Sequence, residues 1–299
     1  MALMPTPGLP EFDYIKPASL KEASQFLAQH NGDARLIMGG TDTFVRMRDG
    51  FWQEKYIVDV KSLPGMHNIS FDPQKGLTIG AAVTMNQVTA STEVQKYYPV
   101  LGQAAHTVAS YQLRNRATLV GNICNASPAG DTIGACLLLD GVLKVHGVDG
   151  MRDEPLSTFF LGPGKTTLKT GDVVTAVAFP LPPEGHAGGY IKLGRNNLGD
   201  LAIVGVTALG YPDSSAPSGY RFRIALASVA PVPFIAEAAE KILAEQVVTE
   251  ESIAQAAQAA MDAVTPIDDT RGSARYRKLM VKNLVKQAVS DVWETIRTG

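Results

Sequence analysis

The run Pro180-Leu181-Pro182-Pro183-Glu184-Gly185 constrains this chain more than any other segment. Its prolines fix φ and donate no backbone hydrogen bond, so neither a helix interior nor a central strand continues through it. The apolar run Val173-Val174-Thr175-Ala176-Val177-Ala178-Phe179 reads as a strand that ends against this break. A chain of 299 residues is long enough for two cores. The sequence therefore divides into an N-terminal part, 1–180, and a C-terminal part, 185–299.

Within the first part, Ser19 and Glu22 form an S-x-x-E signal after Pro17, and Leu20, Ala23, Phe26 and Leu27 recur at helical spacing. This predicts a helix from about Ser19 to His30. Arg35-Leu36-Ile37-Met38 and Tyr56-Ile57-Val58-Asp59-Val60 read as short buried strands, giving a small β-α-β lobe over about 1–60. In a second lobe over about 61–180, Leu77 to Ala81 alternates into Thr84, the expected N-cap of a helix carrying Val88. Tyr97 to Tyr111 offers another helical segment, and Cys136 to Leu139 and Val142 to Val145 are expected core elements. Beyond the proline break, Tyr190 to Leu193, Ile203 to Leu209 and Tyr220 to Ala227 predict an antiparallel sheet, with Asp213-Ser214-Ser215 in a turn. One helix is expected to start near Thr249, its first-turn Glu250 and Glu251 matching the helix dipole, and another to run through Leu279, Leu284 and Val292. The fold class is α+β.

Composition excludes several functions. A net charge of −2 with 19% charged residues provides no basic field for nucleic acid or an anionic membrane. Cys124 and Cys136 are too few for a disulfide framework or a four-thiolate iron–sulfur cluster, and are expected to be reduced and mostly buried. His30, His67, His106, His146 and His186 show no metal-ligand spacing, and Ser127 lies in no G-x-S-x-G elbow. The first residues, Met1 to Gly8, lack the basic and apolar regions of a secretory signal, and the apolar run Leu201 to Leu209 is too short to span a bilayer. A cytoplasmic protein without a membrane span is expected.

Two glycine-bearing turns carry the chemistry. Met38-Gly39-Gly40-Thr41-Asp42 leaves a strand with amides unobstructed by side chains, and consecutive N–H groups of this kind form an anion nest. Thr118-Leu119-Val120-Gly121-Asn122 leads into Ile123 to Asp131, a stretch of small and polar residues that reads as too broken for a regular helix and as a binding surface. Neither turn fits a Rossmann G-x-G-x-x-G or a P-loop, so phosphate recognition would rest on loop amides.

The segments LIMGGTDT (Leu36 to Thr43), ATLVGNICNASPAGD (Ala117 to Asp131) and IKLGRNNLGDLAIV (Ile191 to Val204) together resemble the FAD-binding medium subunit of the molybdenum hydroxylases. That group includes carbon monoxide dehydrogenase and xanthine dehydrogenase, and the resemblance covers essentially the whole chain. It implies a two-lobed FAD-binding domain of the vanillyl-alcohol-oxidase (PCMH) type, then a C-terminal α+β domain. It implies that Leu36, Ile37, Met38, Gly39, Gly40, Thr41, Asp42 and Thr43 wrap the FAD pyrophosphate, and that Thr118, Leu119, Val120, Gly121 and Asn122 contact the flavin nucleotide. Asp131 would accept from ribose hydroxyls or an adenine amine. Val174 matches an apolar contact, and Val108 stands where relatives pack an aromatic near the flavin. Lys192 would stabilise negative charge on the reduced flavin. Val120 departs from a glycine of the family, and a valine there would resist a positive φ and a close ligand approach.

The implied function is electron transfer in a multisubunit enzyme. A large subunit would carry molybdopterin, a small subunit would pass electrons from [2Fe-2S] clusters to FAD on this chain, and NAD or another acceptor would receive them. A self-sufficient flavin oxidase and a flavin-free scaffold subunit are the two alternative readings. Asp200, in the polar turn from Asn196 to Gly199, reads as structural or interfacial, and Arg271, Arg275, Arg277 and Lys278 as a solvated helix start.

Overall fold

The structure is a computed structural model that describes residues 8–196 and 199–298. Met1 to Pro7, and Asn197 and Leu198 of the polar turn, lie outside the described residues. The chain opens with β1 (Asp13–Ile15), α1 (Leu20–Gln29), β2 (Ala34–Ile37), α2 (Thr43–Arg48) and β3 (Tyr56–Asp59), whose strands form a parallel sheet in the order β1-β3-β2. Ser19 Oγ accepts from the Glu22 amide at 3.1 Å, while the Glu22 carboxylate reaches back one residue further than a capping box requires, to the Ala18 amide at 2.8 Å.

The second lobe holds β4 (Ile69–Asp72), β5 (Gly76–Gly80), α3 (Met85–Ala90), α4 (Thr92–Tyr97), α5 (Pro99–His106), α6 (Tyr111–Arg114), α7 (Leu119–Asn125) and α8 (Ile133–Leu138). It continues through β6 (Val142–Gly147), β7 (Gly150–Pro155), a 3₁₀ turn (Leu156–Thr158), the small hairpin of β8 (Phe160–Gly162) and β9 (Lys165–Thr166), and β10 (Val173–Phe179). Its main sheet is antiparallel, in the order β4-β5-β10-β6-β7, and β10 occupies the span expected from Val173 to Phe179. Thr84 caps α3 through a reciprocal box with Gln87.

After the prolines, β11 (Ala187–Leu193), β12 (Val204–Pro212), β13 (Tyr220–Ala227) and β14 (Phe234–Ile235) form an antiparallel sheet in chain order. Against it lie α9 (Glu237–Glu245) and α11 (Ala274–Thr298), with α10 (Glu250–Ala263) packed on both helices. One hydrophobic cluster joins the two N-terminal lobes through residues such as Val58, Ile79, Leu119 and Val177, and another joins the C-terminal sheet to α11 through Val206, Phe222, Val285 and Val289. No helix among the described residues is long and apolar enough to cross a membrane.

Three expectations need correction. The segment Tyr97 to Tyr111 is not one helix: Pro99 starts α5 afresh at its first position, and the chain breaks after His106 into a turn where Ala109 has φ +44°. Of the stretch Ile123 to Asp131, expected to be irregular, the first three residues belong to α7, because the Thr118 hydroxyl caps the Gly121 amide at 3.0 Å and Leu119, Val120 and Ile123 are buried. The Arg271 to Lys278 cluster is not uniformly solvated. Arg277 is 1% exposed, donating to Ile203 O (2.8 Å), Ser228 O (2.9 Å) and Asp269 Oδ1 (2.6 Å), and Arg271 also bonds Asp269.

Candidate functional site

The first glycine turn is shaped by contact as much as by conformation. Gly40 takes φ +73°, in the left-handed region that favours glycine. At Gly39 a Cβ would stand 2.1 Å from Arg116 O and 3.1 Å from Ala117 Cα, so glycine alone lets this loop press onto the lead-in to the second. Phe44 N and Arg46 N donate back to Gly40 O and Asp42 O, which starts α2. Among the described residues, the amides of Gly39, Gly40, Thr41, Asp42 and Thr43 donate to no group of the protein. Leu36 and Ile37 end β2, Ile37 and Met38 are buried beneath the turn, and Asp42 is exposed at the helix start with no side-chain cap bond. A row of unpaired donors at the surface suits an anionic ligand.

The second motif is held by the segment before α3. Thr118 bridges Thr84, with Met85 N donating to Ala117 O at 2.9 Å and Leu119 N to Val83 O at 3.3 Å. Leu119 and Val120 point into the core, and Val120 has ordinary helical backbone, so the positive φ expected to trouble a valine here is not required. Gly121 and Asn122 are half-buried, and Asn122 Oδ1 accepts from Thr132 Oγ1 at 2.7 Å, tying α7 to the segment that carries Asp131. Val174 is buried in β10, which packs on α7, next to a register shift between Val174 and Ala176.

Asp131 and Lys192 meet each other, a contact the sequence pattern did not foretell. Asp131 is 6% exposed and accepts from Tyr190 Oη at 2.7 Å and Lys192 Nζ at 2.8 Å. Burial pushes its carboxyl above the usual range, with Lys192 and Tyr190 opposing. The Tyr190 phenol, sealed in beside this carboxylate, is raised well above its ordinary value by burial first and by Asp131 second. Lys192 Nζ also donates to Thr107 O at 3.0 Å, so β11 is locked to the turn after α5.

That turn carries Val108, which is 9% exposed, and it is gripped from its other side by a residue the sequence did not single out. Arg114, on α6, donates from Nη1 to Val108 O and Ala109 O, both at 3.0 Å, and from Nε to Asn86 Oδ1 at 3.2 Å. Asn86 in turn donates to Tyr111 O and Asn115 Oδ1. Nothing local flags Arg114, because its acceptors are mostly backbone carbonyls. The two loops, the Asp131–Lys192 pair and the Val108 turn are thus joined by direct contacts, Gly39 on Arg116, Thr132 with Asn122 and Lys192 with Thr107, and together make a candidate wall. Asp200 instead pairs with Arg195, at 3.0 and 3.1 Å, at the foot of the polar turn. No group of histidine, cysteine and carboxylate side chains among the described residues could hold a metal ion.

Residues 10–182 match the family described as the FAD binding domain in molybdopterin dehydrogenase, and residues 190–292 match the CO dehydrogenase flavoprotein C-terminal domain. The chain is an FAD-binding medium subunit of the molybdenum hydroxylase family. It is 31% identical to the carbon monoxide dehydrogenase medium chain of Hydrogenophaga pseudoflava over 95% of this chain and 98% of that one. It is 29% identical to the putative xanthine dehydrogenase FAD-binding subunit of Escherichia coli K12, over 93% of this chain and 94% of that one. Among solved structures, carbon monoxide dehydrogenase from Hydrogenophaga pseudoflava lacking the Mo-pyranopterin moiety superposes with a TM-score of 0.90 at 32% identity, covering 96% of this chain and 98% of that one. Quinoline 2-oxidoreductase from Pseudomonas putida 86 gives 0.89 at 27% identity, covering 96% and 99%. The medium-subunit family expects FAD, and the residues present fit it: the unpaired amides from Gly39 to Thr43 suit a pyrophosphate, and Gly39 seats this loop on Arg116 and Ala117, which lead into the second motif.

Proposed function

We propose that this chain is the electron-transfer flavoprotein of a molybdenum hydroxylase complex, with FAD held in the part spanning 1–180 and 185–299 forming a second domain against it. The observation that carries this is the row of unpaired amides from Gly39 to Thr43, whose first residue is pressed against Arg116 and Ala117. In this reading those amides bind the pyrophosphate, with Leu36, Ile37 and Met38 as the rigid strand end behind them. Thr118 and Asn122 offer polar atoms beside it, while Val108 and Val174 supply apolar contact. The ionic pair of Asp131 and Lys192 closes the wall toward β11. FAD, when bound, supplies the ability to take electrons singly and to give them up singly or in pairs. This suits a position between the [2Fe-2S] clusters of a small subunit and an acceptor such as NAD, downstream of a large subunit with molybdopterin.

The visible absorption spectrum of the purified chain, with heat release and identification of any chromophore, tests the reading. Flavin bands with releasable FAD are expected, followed by loss of those bands on mixing with the reduced iron–sulfur partner and their return on adding the acceptor. Oxidase turnover by the chain alone would instead support the self-sufficient oxidase. A colourless chain that takes up no FAD, even with its partners, would support the scaffold. Val120, in helical backbone with its side chain in the core, favours the flavin-holding reading over the scaffold.

A further inference from the structure

Two cations, Lys192 and Arg114, bond the carbonyls of the Thr107–Ala109 turn, and they differ in what neutralises them. Lys192 lies 2.8 Å from the Asp131 carboxylate, so this pair contributes no net charge. Arg114 is 8% exposed, and its bonds run to Val108 O, Ala109 O and Asn86 Oδ1, all uncharged acceptors. Among the described residues no salt bridge involves it, and its Nη2 donates to none of them. A guanidinium does not lose its proton in a protein, so a full positive charge sits here with no counter-charge beside it. Its hydrogen bonds and the solvent access of Nη2 meet part of the cost of burying such a charge, and an anionic ligand close by would offset more of it.

The carbonyls that Arg114 holds also have a direction. Thr107 O accepts from Lys192, and Val108 O and Ala109 O accept from Arg114, so consecutive peptide oxygens are drawn toward cations. Ala109 keeps φ +44° in the middle of this turn, a conformation unfavourable for a residue with a Cβ unless neighbours impose it. Arg114 ends α6, and Arg116, two residues on, is the contact point of Gly39. One side chain therefore shapes the Val108 turn and places its charge at that turn.

We infer that Arg114 is the positioning residue of the flavin pocket that also sets its electrostatics: it fixes the Val108–Ala109 part of the turn and supplies the uncompensated positive charge that favours reduced FAD. Lys192, cancelled by Asp131, does not serve that purpose. The inference rests on the reading that FAD occupies this wall. Reduction of FAD takes up two electrons and one proton at neutral pH, so the bound group gains one negative charge, and a nearby buried cation raises its midpoint potential.

The test is the midpoint potential of FAD bound to the full chain, read by reductive titration with dithionite against a reference dye. Arg114→Gln is expected to weaken the preference for reduced over oxidised FAD by about tenfold, a fall of about 30 mV for a two-electron couple. Arg114→Lys keeps the charge and is expected to stay near the wild-type potential. The double replacement Lys192→Met with Asp131→Asn leaves net charge unchanged and is expected to move the potential less than Arg114→Gln does. Retained FAD with an unmoved potential in Arg114→Gln overturns the inference, as does an equal fall in Arg114→Lys or in the double replacement. If Arg114→Gln loses FAD, Arg114→Lys decides: retention at the wild-type potential supports the inference, and loss from both overturns the charge role. A wild-type chain that takes up no FAD overturns the functional reading itself, a different result from an unmoved potential.

Discussion

The first glycine loop and the Asp131–Lys192 junction lie along the same wall and are built on opposite principles. The loop leaves its amides from Gly39 to Thr43 without protein acceptors, while at the junction both oxygens of Asp131 are occupied, by Tyr190 and by Lys192. An unsatisfied donor row at a surface is available for an incoming anion. A satisfied buried pair is stable only while both members remain. In the proposed reading the loop takes the ligand's phosphates, and the junction fastens β11 to Asp131 and to the turn after α5.

The largest effect expected from this contrast is at the junction. Lys192→Met leaves Asp131 buried beside Tyr190 with no cation, and is expected to cost up to about 4 kcal/mol at neutral pH, read from urea unfolding. The pH dependence has a definite sign. The folded-state value of Asp131 is already raised above 3.8 by burial and rises further once Lys192 is gone, so its favourable contribution is present below the unfolded value and lost as pH rises through the folded one. The deficit of Lys192→Met should accordingly be smallest near pH 4 and grow toward neutrality. A deficit independent of pH would mean that lost packing, and not the stranded carboxylate, causes the damage.

At the loop, Gly39→Ala puts a Cβ 2.1 Å from Arg116 O, a contact with backbone that no rotamer relieves. The loop must lift off Arg116 and Ala117, at about 3 kcal/mol. Because lifting also displaces the amide row, flavin content per chain is expected to fall together with stability. Full flavin occupancy in a destabilised Gly39→Ala chain would separate the loop from the cofactor and undo the comparison.

The difference between these regions also explains what the sequence could reveal. Helix starts are legible because their partners are three residues apart: Thr84 with Gln87, Thr249 with Ser252. The first loop is legible for the same reason, since a strand followed by paired glycines is a local pattern. Asp131 and Lys192 are 61 residues apart, and only the packing of β11 on the N-terminal part joins them. Helix α7 is hidden by its own composition, because Gly121, Asn122 and Asn125 read as turn residues while the burial of Leu119, Val120 and Ile123 decides the outcome. Arg277 shares that fate: a basic residue near a helix start reads as solvated until Ile203, Ser228 and Asp269 are seen around it.

Asp269 provides a carboxylate whose pH response runs opposite to that of Asp131. Hydrogen bonds from Arg271, with Arg277 adding to them, hold its carboxyl far below the usual range. A lowered folded value contributes stability above the unfolded value near 3.8 and loses it as pH falls through the folded one. Asp269→Asn is expected to cost about 2 kcal/mol at neutral pH and almost nothing well below pH 3, measured by urea midpoints across that range. An equal cost at both ends would show that geometry, and not charge, holds the Arg271–Arg277 cluster together.

The smallest expected effect isolates the loop's role from the general fragility of glycines. Gly50, just after α2, has φ +80°, and a Cβ there meets nothing within 4 Å. Gly50→Ala is therefore strained in backbone only, at about 1 kcal/mol, with no neighbour displaced. Gly39 is the reverse, with no positive φ and no room. If stability alone governed flavin retention, the two replacements would lower it in proportion to their unfolding free energies. If the amide row governs it, Gly50→Ala keeps full occupancy while Gly39→Ala loses flavin well beyond its share of the stability loss. Comparing the two at a urea concentration that equalises their folded fractions distinguishes a pocket damaged by global loosening from one damaged where the ligand sits.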